Sequence, residues 1–252
     1  MITLDFKARV PVIDANIGVG HRHDRPSPIS DREELCSEMG RHGVERAVIY
    51  HLQGESISPV EANDEMRSWQ AHEGMLQHQW MAGASRQSLD QLQAMHADRP
   101  LTSVRINNTD KPYNPFSHWI YGDLLEWCAA AGIPVWVSVA NANCRDLLET
   151  LTRFPNLVTV LVGAHYVDAL FIRPLLRNLP LAHLELSRYE VLGEVEALSR
   201  EFGVDRLVYG SFYPRLQMGP ILFYLHHLDL TEDELAAVCA GNVEEILAGR
   251  RK

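Results

Sequence analysis

Residues 12–26 read VIDANIGVGHRHDRP, a β-branched apolar run that opens through Gly18 and Gly20 into a polar loop. Such a run, closed by glycine, predicts a strand. The loop beyond it carries His21, His23 and Asp24, and on an extended segment the two imidazoles point the same way. They lie at least five residues past Asn16, which at about 3.3–3.6 Å per extended residue takes them clear of the strand end unless the loop folds back.

The same unit, a short apolar run followed by an amphipathic segment, recurs along the chain. Further strand candidates are 46–52, 80–85, 102–107, 134–139, 157–163, 181–186 and 206–211. Most lack clean alternation, as expected of parallel strands covered on both faces. Helical patterns occupy 60–75, 123–131, 144–153, 167–177, 189–202 and 218–227. Ser30 and Glu33 have capping-box spacing, which places Leu35 and Met39 inward, and Thr231 with Glu234 opens a last helix. Gly132-Ile133-Pro134 reads as a helix stop followed by a strand. Eight βα units predict one domain over 1–252, a (β/α)₈ barrel with an extra C-terminal helix. A doubly wound open sheet is the alternative.

Composition narrows the partners. Charged side chains sum to 23 − 33 = −10, a poor match to nucleic acid or an acidic membrane surface. The four cysteines form no CxxC pair and read as packing residues of a reducing compartment. With no apolar run long enough for a signal peptide or a span, a soluble, cytoplasmic protein is expected. The stretch MGPILFYLHHL (218–228) is either a homodimer surface or a buried helix.

In a barrel, chemistry sits at the carboxyl ends of the strands. That rule selects Asp14 and Asn16 on the first strand, His51 on the second, Arg105 on the fourth and Ser138 on the fifth. The later strands add His165, then Glu185, Ser187 and Arg188, and last Phe212 and Tyr213. Asp14 and His165 are the acid–base candidates, since imidazole titrates near neutrality. Asn16, Arg105, His51, Ser138, Arg188 and Tyr213 are expected to bind substrate. A buried arginine needs a partner, so Arg105 either pairs with Asp14 or Glu185 or grips a substrate carboxylate. Phe212 is expected simply to pack. Tyr113 and Trp119, in a Pro/Asn-rich loop, form a lid or pin that loop. His226 and His227 are expected at the surface or at an interface.

The opening VIDANIGVG, the segment FGVDRLVYGSFYP (202–214) and the closing AGNVEEILAG (240–249) resemble the amidohydrolase-2 branch of the amidohydrolase superfamily, over roughly residues 10–249. The resemblance implies a metal-dependent barrel with a D-x-H-x-H-x-G opening, histidines after strands five and six, and an aspartate closing strand eight. This chain has Asn16, Gly18, Ser138 and Phe212 at those positions, and only His165 matches a ligand. One imidazole and one amide cannot hold zinc, which takes three or four converging donors. The resemblance therefore implies a hydrolase, lactonase- or amidase-like, acting on a small anionic molecule without a cofactor. Two alternatives stand beside it: a catalytically inactive barrel kept for ligand binding or assembly, and a metal-dependent hydrolase or decarboxylase with zinc relocated to His21, His23 and His165.

Overall fold

The run at 12–19 forms strand β1 (Ile13–Val19), and all seven of its residues are buried. Its two faces have different neighbours. Ile13 and Ala15 join an inner cluster with Val48, Trp136, Val160 and Val208, while Ile17 and Val19 pack outward among the helices. The structure, a computed structural model, describes residues 6–21, 27, 31–69, 74–107 and 115–249.

Beyond β1 come β2 (Arg46–His51), β3 (Leu76–His78), β4 (Trp80–Ala82), β5 (Val104–Ile106), β6 (Val135–Ser138), β7 (Thr159–Val162), β8 (Ala182–Glu185) and β9 (Leu207–Val208). They pair in parallel in chain order as two runs, β1 to β3 and β4 to β9. β3 and β4 are one stave broken at Gln79, whose N–H donates to Ile49 O at 2.8 Å before Trp80 N–H turns to Ser103 O at 3.4 Å. The ring closes where Ala15 N–H donates to Tyr209 O at 3.1 Å and Gly18 N–H to Tyr213 O at 2.7 Å. Eight closed staves with helices between them make a (β/α)₈ barrel, not the open sheet.

The helices are α1 (Arg32–His42), α2 (Pro59–Met66), α3 (Arg86–Asp98), α4 (His118–Ala131), α5 (Cys144–Leu151), α6 (Ala169–Asn178), α7 (Glu194–Phe202), α8 (Met218–Leu225), α9 (Glu232–Ala236) and α10 (Asn242–Leu247). Local chemistry sets their ends. Asp31 caps α1, its carboxylate accepting Glu34 N–H at 3.0 Å, where Ser30 was expected; Leu35 and Met39 are buried as anticipated. Gly132, at φ 68°, closes α4 in a left-handed conformation that costs glycine little. Thr231 and Glu234 form the reciprocal box that starts α9. The helix expected over 60–75 stops at Met66 and tightens into a 3₁₀ turn, Arg67–Trp69.

Layers fill the barrel interior. Ala240, Val243 and Ile246, from the terminal helical segment, join the inner cluster, so the C-terminal helix plugs one end of the barrel. Asn242 Nδ2 ties it down through Val204 O at 2.9 Å and Leu207 O at 2.7 Å. Trp136 fills the next layer, its indole N–H donating to Ala15 O at 3.1 Å. A register shift between Asp14 and Ile17 then turns Asn16 inward as well, and the polar layer begins. Among the described residues no helix is long and apolar enough to cross a membrane.

Candidate active site at the barrel mouth

The polar layer is a single hydrogen-bonded chain. Ser187 gives its N–H to Glu185 Oε1 at 2.8 Å and its hydroxyl to Oε2 at 3.0 Å. Glu185 Oε2 also accepts Asn16 Nδ2 at 3.0 Å and Gly163 N–H at 3.4 Å. Asn16 Oδ1 in turn accepts Arg105 NH1 at 3.1 Å. Arg105 NH2 reaches Glu55 Oε1 at 3.2 Å, and the other Glu55 oxygen holds Arg215. Arg105 is 3% exposed, with its guanidinium carbon 3.8 Å from the centre of the Tyr50 ring. Gly210 allows this crowding, because a Cβ there would fall 2.4 Å from Glu185 Oε1.

Asp14 lies beside this chain. Its Oδ1 accepts the N–H groups of Asn16 and Ser211, both at 2.9 Å, spanning the seam between β1 and the segment after β9. Its Oδ2 is buried and has no hydrogen-bond partner among the described residues. Burial pushes the Asp14 carboxyl up to about 6, against the hydrogen bonds from Ser211 and Asn16. Burial likewise raises Glu185 to about 7, with Ser187 opposing and the Asp14 charge adding. Two carboxyls thus titrate near neutrality inside one network.

Phe212 carries the rim. Its φ of 61° is rare for a side chain of this size. The ring has Arg215 4.6 Å and Arg188 6.0 Å from its centre. Arg188 also donates to Gly163 O at 3.4 Å.

Several expectations need correction. Arg105 pairs with Glu55, in the turn after β2, and with Asn16, not with Asp14 or Glu185. Tyr213 does not line the mouth: it is buried in the outer layer, where Glu38, Arg41 and Glu34 of α1 are the charges it feels. Phe212 does more than pack, since its ring faces two guanidiniums. His226 is buried, accepting Arg9 N–H at 3.0 Å, and pins the N-terminal segment. Trp119 is exposed on α4, and Tyr113 lies outside the described residues.

His165, three residues beyond β7, is half-buried; its N–H donates to Asp168 Oδ2 at 2.8 Å and its carbonyl accepts Asp168 N–H at 2.8 Å. Ser138 Oγ stands beside Gly163. His51 is buried with Nδ1 unpartnered among the described residues, and burial lowers its pKa. His21 is exposed and accepts Ser27 N–H at 3.2 Å, while His23 lies outside the described residues. The sequence reading missed Glu55 and Arg215. Both sit only a few residues beyond strand ends, so the charged residues of the loops carried the signal, not the strands themselves.

A closed parallel barrel whose polar network gathers at the carboxyl ends of its strands belongs to the enzyme-bearing class of TIM barrels. The chain belongs to the amidohydrolase family, whose profile matches residues 61–248. No curated protein sequence matches it. Solved structures share the fold at low identity. A TIM-barrel protein from Bordetella bronchiseptica is 17% identical, with TM-score 0.73, over 95% of this chain and 99% of its own. A protein provisionally assigned as a 2-pyrone-4,6-dicarboxylic acid hydrolase, from Pseudomonas putida, is 16% identical, with TM-score 0.73, over 97% and 100%. A 5-carboxyvanillate decarboxylase from Novosphingobium aromaticivorans, complexed with manganese and a nitrobenzoic acid, is 11% identical, with TM-score 0.77, over 98% and 100%.

The donors here do not fit a divalent ion. Both Glu185 oxygens, Asp14 Oδ1 and Asn16 Oδ1 already accept hydrogen bonds, and the amide oxygen faces a guanidinium. Of these oxygens Asp14 Oδ2 is the one left without a hydrogen bond, and a metal centre takes three or four donors. Among the described residues no three His, Cys, Asp or Glu side chains converge as a metal site.

Proposed function

We propose that the protein is a hydrolase of a small anionic ring compound, lactonase- or amidase-like, working through organic side chains. The observation that carries this reading is the Ser187–Glu185–Asn16 chain lying under a rim where Arg188 and Arg215 flank the Phe212 ring. Guanidiniums bind carboxylates in a planar fork, and an aromatic face beside them suits a flat ring. The solved structures named above include proteins described by carboxylated ring compounds, which supports the same substrate class.

The residues divide the work. Arg188 and Arg215 hold the substrate carboxylate, with Ser138 and His51 completing the cup. The attacking water passes its proton to the Ser187 hydroxyl, which hands its own to Glu185; a carboxylate titrating near pH 7 suits that role. Asp14, the lower of the two at about 6, gives up its proton before Glu185 and anchors the N–H groups of Asn16 and Ser211. His165, held at the mouth by its backbone N–H donating to Asp168 Oδ2 at 2.8 Å, acts as the acid through its imidazolium. It donates to the leaving oxygen as the ring opens.

The test is turnover of a panel of ring lactones and cyclic amides bearing a carboxylate. Turnover should fall steeply in Glu185→Gln and His165→Ala, while Arg145→Ala on the exposed face of α5 should match wild type. Saturable binding without turnover would instead select the inactive barrel. Release of carbon dioxide from an aromatic acid would select a decarboxylase, the reading favoured by the manganese-bound neighbour.

A further inference from the structure

We infer that Arg105 is the resident cation of this barrel mouth, a side chain that does among its acidic groups what a bound divalent ion does in a metal-dependent barrel. The inference rests on the geometry around Arg105 and not on the hydrolase reading.

The guanidinium is enclosed as an ion is by its ligands. Asn16 Oδ1 stands 3.1 Å from NH1 and Glu55 Oε1 3.2 Å from NH2, and the Tyr50 ring lies 3.8 Å from the central carbon. These partners come from β1, β2 and the 3₁₀ turn Leu52–Glu55, so one side chain from β5 draws together three other elements. The carboxylate it touches among the described residues is Glu55, shared with Arg215, while Glu185 and Asp14 lie one hydrogen bond further in, behind Asn16. Asn16 relays the positive charge inward, turning its amide N–H to Glu185 while its oxygen faces Arg105. A guanidinium stays protonated in any protein environment and loses less hydration on burial than an ammonium or a metal ion. A second cation arriving here would meet a fixed positive charge and an amide oxygen already engaged.

Elemental analysis of protein purified without chelator, paired with thermal unfolding in the presence and absence of manganese or zinc chloride, tests the inference. An ion held at ~100 times its dissociation constant would raise Tm by roughly 5–10 °C. Wild type is expected to carry no stoichiometric metal and to show no such rise. One equivalent of bound metal, or a rise of that size, overturns the inference.

Arg105→Met and Arg105→Lys give the second readout. If Arg105 merely filled space, with no group depending on its charge, the apolar isostere would match wild type in Tm, whereas removing one partner of a buried pair lowers it. A resident cation predicts a graded order: wild type highest, lysine intermediate because it keeps the charge, methionine lowest. Methionine at or above lysine overturns the inference. Should Arg105→Met fail to fold, the lysine variant and the wild-type metal content still decide. None of these readouts needs a substrate, so failure of the lactone panel leaves this result standing.

Discussion

At the residue scale the decisive pair is Glu185 and Asp14. Their carboxyls titrate at about 7 and about 6 in the folded chain, above ordinary values of 4.5 and 3.8. The folded state therefore binds protons more tightly than the unfolded chain, and each tenfold difference in proton affinity contributes about 1.4 kcal/mol. This contribution to stability is complete below about pH 4 and is lost as pH rises through 6 and then 7. Thermal unfolding from pH 5 to 8 should show Tm falling, and Glu185→Gln should flatten the upper part of that fall; an unchanged slope would assign the pH dependence elsewhere. At the rim, Arg188→Ala should raise KM for a carboxylated ring substrate by about 10–100-fold with kcat less affected, since a charge-assisted hydrogen bond contributes roughly 1.5–3 kcal/mol. Steady-state kinetics check this, and an unaltered KM would remove Arg188 from the binding site. Asp14, Asn16 and Arg105 stood out in the sequence as polar residues inside apolar strands. Glu55 and Arg215 did not, because a charge in a loop is ordinary until folding shows what it faces.

At the element scale the terminal helix is a working part of the barrel. Ile246 and Val243 lie against Ile13, Trp136 and Val160 with almost no exposure. Ile246→Ala should cost about 2–4 kcal/mol by leaving a cavity in that plug, while Thr231→Ala, which removes a helix cap, should cost about 1 kcal/mol. Denaturant titration separates the two, and equal costs would contradict the plug. Strands and helix ends were legible because their signals are local: apolar runs, a glycine stop, a capping box. The register shift in β1 and the broken stave at Gln79 were not, because both arise from how a strand meets its neighbours. Tyr213 was misplaced for the same reason: the positive φ at Phe212 reverses which of two adjacent aromatics faces inward, and nothing in the pair of residues announces it.

At the scale of the whole molecule, a closed barrel lets polar groups from distant parts of the chain meet over an apolar plug. The charge chain from Ser187 to Arg215 links β1, β5, β8, the turn after β2 and the segment after β9. The order of βα units made the barrel readable, and the resemblance placed it in its family, but the direction each mouth side chain takes depends on closure. Guanidiniums and carboxyls meet at the mouth, which we propose is an anion-binding cup. The sharpest check on that cup is turnover of a carboxylated ring lactone by protein stripped of metal with a chelator and verified by elemental analysis. Turnover should survive the chelator and collapse in Glu185→Gln; activity that returns only with added manganese or zinc would refute a mouth run by side chains alone.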